Sequence, residues 1–248
     1  MADELRDSGG KVRLHVDAAL SGGARVALAD AQAHYLLHVM RARTGDMVSL
    51  FNGHDGEWLG RIAETTKRNC TLVCEKQIRA QDETPDVWLC FAPVKKTPAD
   101  YIVQKATELG VRALQPVFMR RAIVTRINEE RMRANAIEAA EQSERLTVPE
   151  IREAVTLEKL LRSWPRERPV LFCDEGGDAQ PIAKAAAKVE TNCVAILTGP
   201  EGGFDPAERD AIRSQSFVVP VTLGPRILRA DTAALASLAI WQALRGDS

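Results

Sequence analysis

The sequence holds nothing near the roughly 18 consecutive apolar residues of a membrane-spanning helix, and its first ten residues, MADELRDSGG, contain no apolar signal core. Insertion and export are therefore not expected, and the chain is assigned to the cytoplasm. The patterns GxGxxG and GxxxxGK(S/T) are both missing, which counts against a dinucleotide oxidoreductase and a P-loop kinase. A surplus of positive charge is missing too: the net charge is -1. That argues against a uniformly basic nucleic-acid binder but leaves room for local basic patches. Cysteine is sparse. Cys70, Cys74, Cys90, Cys173 and Cys193 are scattered, odd in number and mostly inside apolar runs, the pattern of buried free thiols in a reducing compartment. Of His15, His34, His38 and His54, only His34 and His38 share a helical face; no HExxH and no third ligand accompany them, so no metal site is expected.

What is present is ordinary for a globular protein: 27% charged and 45% hydrophobic residues over 248 positions, enough for one large or two modest domains. Residues 1–10 read as a disordered leader. Residues 11–80 are strand-rich, with apolar alternation at 12–16, 25–28, 47–51, 58–63 and 70–75. Turn signals lie between them at Ser21-Gly22-Gly23, Thr44-Gly45-Asp46 and Asn52-Gly53. One helix interrupts, over 30–42 with Asp30 as its cap. Short strands at this spacing suggest a small β-barrel. A polar run around Arg79–Asp86 separates two regimes, and residues 81–86 are taken as the linker. From 87 to 248 strands and helices alternate, which implies a parallel α/β sheet. The strands are expected at 87–92, 113–119, 170–174, 194–197 and 217–223. The helices are expected at 98–109, 129–146, 157–164, 181–189, after Asp205 and at 232–244.

Two late turns stand out. Apolar Val194–Leu197 breaks at Thr198-Gly199-Pro200-Glu201-Gly202-Gly203, and Phe217–Leu223 breaks at Gly224-Pro225-Arg226. The glycines allow positive φ and close backbone approach. Asp205-Pro206-Ala207-Glu208 then has the residue types of an N-cap, a first-turn proline and a first-turn acid. Ligands of open α/β sheets gather at the carboxyl ends of strands, so two such loops form a candidate cofactor site. Leu197, Leu223, Ile227 and Leu228 can supply a flat apolar slot. A glycine loop leading into a helix N-terminus is equally compatible with generic anion binding.

Gly199-Pro200-Glu201-Gly202-Gly203, with Leu223-Gly224-Pro225-Arg226-Ile227-Leu228-Arg229-Ala230-Asp231-Thr232-Ala233, resembles the RsmE-type methyltransferases of the SPOUT superfamily. The family pattern usually has Glu where this chain has Asp231. The resemblance extends to His34-Tyr35-Leu36, Val39-Met40-Arg41, Leu50-Phe51-Asn52-Gly53, Lys105-Ala106-Thr107-Glu108-Leu109-Gly110-Val111 and Glu141-Gln142-Ser143. After that Ser the family usually has Gly and this chain has Glu144. The resemblance implies an N-terminal PUA-like β-barrel that helps hold RNA. It also implies a C-terminal SPOUT α/β domain with a trefoil knot, and S-adenosylmethionine-dependent methylation of uridine N3 in small-subunit (16S) ribosomal RNA. The substrate is expected to be that RNA or the assembled small subunit.

On that reading the cofactor is held by Leu197, Thr198, Gly199, Pro200, Gly202, Gly203, Leu223, Gly224, Ile227, Leu228, Thr232 and Ala233. Arg229 is the first candidate to stabilise charge on the base, and Glu201 or Asp231 to accept its proton, though Asp231 also fits an N-cap. Arg13, Arg41, Arg43, Lys95, Lys96, Arg120, Arg121 and Arg145 are candidate RNA contacts, each also readable as a solvated surface charge. The last helix is apolar nearly all round, so it is either a buried core helix or covered by a partner subunit. The superfamily builds its site at a homodimer interface, which favours the second.

Overall fold

The computed structural model describes residues 12–66, 69–176, 178–191 and 193–246. The expected leader, residues 1–10, lies outside these residues.

The chain divides into two compact units. One runs to Glu83 and also takes in Ala140–Val148; the other comprises Thr84–Ala139 and the chain from Pro149 onward. The division after Glu83 falls inside the expected linker. The segment at 140–148, expected in the second domain, joins the first for a packing reason. Ala140 and Leu146 bury against Phe51. Arg13 also donates through Nη1 to the carbonyls of Ala140 and Glu141, at 3.0 Å each, and through Nη2 to that of Arg145 at 3.0 Å.

The first unit carries β1 (Arg13–His15), β2 (Arg25–Ala27), β3 (Met47–Phe51), β4 (Glu57–Thr65) and β5 (Cys70–Arg79) in the order β1-β3-β4-β5-β2. Strand β1 runs parallel to β3 and the other pairs are antiparallel. Alternation sends Cys70, Leu72 and Cys74 of β5 into a core with Leu14, Leu50 and Ile62. Register shifts at Glu57/Trp58, Leu59/Gly60 and Ile62/Glu64 bend the long β4·β5 pair, as bulges do. The helix expected over 30–42 is shorter. Helix α1 (Asp30–His34) passes into one wide turn, Tyr35–Val39, in which the Met40 amide donates to the Tyr35 carbonyl five residues back at 3.0 Å. Arg41 then leaves it at φ 55. Its N-cap is Ala29, not Asp30; the Gln32 side chain accepts from the Ala29 amide at 3.3 Å, so Asp30 becomes the acid of the first turn.

The second unit is an eight-stranded sheet in which every pair is parallel. In chain order it contains β6 (Asp86–Phe91), α2 (Lys96–Glu108), β7 (Ala113–Phe118), α3 (Glu129–Gln142) up to Ala139, β8 (Glu150–Ile151), β9 (Val155–Thr156), α4 (Leu157–Ser163) and β10 (Val170–Cys173). There follow β11 (Gln180–Pro181), α5 (Ile182–Ala186), β12 (Cys193–Thr198), α6 (Pro206–Arg213), β13 (Val218–Thr222) and α7 (Ala230–Arg245). The strand order is β11-β13-β10-β12-β6-β7-β8, with β9 also on β7. This is the expected α/β architecture, and its near-continuous apolar strands are those of a sheet covered on both faces.

Helix ends follow their local chemistry. Asp205 Oδ1 accepts from the Ala207 amide at 3.1 Å with Pro206 in the first turn, as the residue types require. Gly110 takes φ 83 just beyond α2. Helix α3 stops at Gln142 rather than 146 because Glu144 adopts φ 58 and the Arg145 amide turns back to the Ala140 carbonyl at 3.1 Å.

Candidate functional site

Strand register brings three carboxyl ends together. Phe172 pairs with Leu197 across β10 and β12, and Cys173 with Val221 across β10 and β13. The loops that follow these strands therefore open side by side, the arrangement in which parallel sheets bind ligands. They line one open cleft at that end of the sheet. Of the expected cofactor residues, Gly199, Pro200, Gly203, Leu223, Gly224, Ile227, Leu228 and Ala233 line it.

Four do not. Leu197 and Thr198 are each 1% exposed: they belong to β12 itself, and Leu197 packs in the core with Val117 and Phe172. Gly202 lies against Arg121, whose Nη1 donates to the Gly202 carbonyl at 3.3 Å. Thr232 is exposed in the first turn of α7, its amide donating to Asp231 Oδ1 at 2.7 Å. Asp231 is not the N-cap; Arg229 occupies that position without a side-chain cap bond.

The glycines have a steric reason. A Cβ on Gly199 would lie 2.6 Å from the Phe204 ring, which is buried and packed edge-on to Phe172 at 4.7 Å. Gly203 has φ 68, and a Cβ there would meet the Glu175 carboxylate.

The sequence reading missed the third loop. Cys173, Asp174 and Glu175 line the cleft, as do Phe204, Thr222, Arg226 and Ala230. The signal was available: Val170–Cys173 is another apolar run, and it ends in Asp174-Glu175-Gly176-Gly177. Asp174 has no exposed side-chain surface; it accepts from Arg209 Nε at 2.7 Å, Arg213 Nη1 at 2.5 Å and the Gly176 amide at 3.0 Å. Burial alone would raise its pKa, but the Arg209 and Gly176 hydrogen bonds and the Arg213 contact hold it below the usual carboxylate range. Burial pushes the Cys173 thiol up to about 12, so it offers the cleft a neutral SH.

A second cleft adjoins the first and shares Ile227, Leu228 and Ala230 with it. Its remaining lining is Val94, Lys95, Pro98, Glu201, Arg229 and Asp231. Both expected catalytic residues, Glu201 and Arg229, thus face one chamber with Asp231 and Lys95. None of the four forms an ion pair among the described residues.

The other expected RNA contacts divide. Lys96 is exposed and borders a separate cleft with Arg126 and Arg131. Arg120 is tied to the start of α6: its amide donates to Glu208 Oε1 and its Nη1 to Asp205 Oδ1, both at 3.0 Å. In the first unit Arg41 and Arg43 are exposed, and Arg145 donates through Nη2 to Thr147 Oγ1 at 3.1 Å. Arg13 corrects its expectation. Its side chain is 12% exposed, and its donors go to Glu57 and three carbonyls inside the unit. It is a structural tie rather than a surface charge. The His34 and His38 ring centres lie 4.8 Å apart with the planes tilted by 41°, and no group of three or more metal-ligating side chains occurs among the described residues. No helix there is long and apolar enough to cross a membrane.

Comparison with known proteins gives the same picture. The RNA methyltransferase domain model matches residues 82–242, and the RNA methyltransferase PUA domain model matches 28–74. Ribosomal RNA small subunit methyltransferase E of Rickettsia conorii is 31% identical over 92% of this chain and 93% of that protein. Its namesake from Synechocystis is 32% identical over 89% of this chain and 74% of that protein. A crystal structure of the Neisseria gonorrhoeae enzyme of the same name, bound to S-adenosyl methionine, superposes with a TM-score of 0.83 at 28% identity, covering 94% of this chain and 97% of that one. With a family model spanning residues 82–242 and a relative 31% identical over 92% of the chain, the chain belongs to the ribosomal RNA small subunit methyltransferase E family.

Proposed function

We propose that this protein methylates N3 of a uridine in small-subunit (16S) ribosomal RNA, using S-adenosylmethionine, with the assembled small subunit as substrate. The observation that carries the reading is the pair of adjoining clefts, one apolar and glycine-walled, the other charged, sharing the strip Ile227-Leu228.

The first cleft fits the cofactor. Leu223, Ile227 and Leu228 offer apolar surface for the adenine, the loop backbones at Gly199 and Gly224 can read polar edges, and the exposed Glu175 carboxylate favours a cation. Bound there, the cofactor supplies a methyl on a cationic sulfur, and transfer to N3 with loss of the N3 proton leaves a neutral thioether. The chain's own residues do the rest. Arg229 stabilises the charge that spreads onto the base carbonyls, and Glu201 or Asp231 accepts the proton. The walls hold N3 in line, which supplies much of the acceleration. Arg41, Arg43, Lys96 and Arg121 are exposed and suited to the RNA backbone.

A homodimer and a trefoil knot in the C-terminal unit belong to the same reading, as does a cytoplasmic location. Helix α7 supports the dimer: Ala239, Ala243 and Leu244 are exposed on an apolar helix, and Leu244 is 47% exposed.

The test is methyl transfer by purified protein to small subunits from a strain lacking the modification, with nucleoside mass analysis of the product. The expected product is 3-methyluridine. A ribose-methylated nucleoside, or no saturable cofactor binding by calorimetry, refutes the proposal. Arg229→Ala is expected to slow transfer roughly 10²-fold or more while cofactor affinity holds, since Arg229 borders only the second cleft.

A further inference from the structure

We propose that Lys95 is a second cation acting on the acceptor base, partner to Arg229, rather than an RNA-backbone contact; this rests on the reading of the second cleft as the acceptor chamber. Lys95 follows the buried run Phe91–Val94 and occupies the N-cap of α2, where its carbonyl accepts from the Ala99 amide at 3.0 Å. Its backbone is therefore fixed while its exposed side chain borders the chamber.

The charged groups of that chamber come from three segments: Lys95 before α2, Glu201 after β12, and Arg229 with Asp231 at the start of α7. Two cations and two carboxylates share one cleft without forming an ion pair among the described residues. Left to themselves, opposite charges in one cleft gain by pairing. Held apart, they suit a ligand that presents both kinds of complement.

Uracil is such a ligand. Its N3–H is flanked by two carbonyl oxygens, and when the proton leaves the charge spreads onto both. One cation per oxygen, with a carboxylate between to take the proton, matches that edge. Val94, Pro98, Ile227 and Leu228 add apolar surface beside those charges, on which a base can lie. The same arrangement disfavours cytosine, whose amino group would face a cation.

The test is the single-turnover rate of methyl transfer to unmodified small subunits across neutral and alkaline pH, for the wild-type protein, Lys95→Met and Lys95→Arg. Cofactor calorimetry on each variant reports an intact first cleft. Lys95→Met is expected to slow transfer about tenfold or more at neutral pH and to move the rising alkaline limb up by about one unit, because the base loses a stabilising charge. Lys95→Arg is expected to restore the wild-type limb. An unmoved limb in Lys95→Met, with the salt slope of RNA binding reduced by about 1, would make Lys95 a phosphate contact and overturn the inference. If the wild-type protein forms no 3-methyluridine, the acceptor chamber itself is wrong and the inference falls with it. Normal wild-type activity with a pH limb indifferent to Lys95 removes the role of Lys95 alone.

Discussion

Arg13 donates through Nε to Glu57 Oε1 at 2.8 Å, and only 12% and 5% of the two side chains remain exposed. Glu57 also accepts from Arg79 at 3.3 Å, and the Arg13 guanidinium lies 4.5 Å from the centre of the Phe51 ring. One side chain thus joins β1, β4 and the turn that ends α3.

Replacing Arg13 with Met leaves Glu57 buried beside a single longer contact and three carbonyls without their donor. The expected cost is roughly 3 kcal/mol or more of unfolding free energy, measured by urea denaturation. The salt slope of RNA binding should stay at its wild-type value. A slope lower by about 1 would return Arg13 to the RNA surface.

Asp174 sets an acid limit. Its folded pKa lies below the ordinary value of 3.8, so its contribution to stability is complete above about pH 4 and is lost as pH falls through the folded value. Asp174→Asn should flatten the acid limb of a plot of stability against pH. It should also cost roughly 3 kcal/mol at neutral pH, because Arg209 and Arg213 lose a common buried partner. An unchanged acid limb in thermal melts would show that the network contributes nothing there.

Glu144 offers a change in the other direction. It holds φ 58 at a helix end, a conformation disfavoured for any residue with a Cβ. Glu144→Gly is expected to stabilise by roughly 0.5–1 kcal/mol, seen as a melting temperature about 1–4 °C higher. A lower melting temperature would mean that the Glu144 side chain contributes more than its backbone conformation costs.

Much of this was legible in the residues. Apolar runs broken by Gly and Pro gave the strands of the second unit, and Asp205-Pro206 gave the start of α6, because both signals are local. Glycine positions at 199 and 203 were legible for the same reason, although the groups that require them, Phe204 and Glu175, are visible only in three dimensions. Other features were not local. The wide turn at Tyr35–Val39 has an ordinary helical pattern. Leu197 and Thr198 fall outside the cleft lining, which a motif match cannot foretell because it does not say which face a strand residue presents. Arg13 looks like a surface charge until the carbonyls of residues 127 to 132 positions away are folded against it.

The strip Ile227-Leu228 bounds both clefts. A ligand in one cleft therefore meets the same two side chains as a ligand in the other. Any factor by which the methyl donor changes RNA affinity is thus the factor by which RNA changes the affinity for the donor, and comparing each affinity with and without the other ligand measures it.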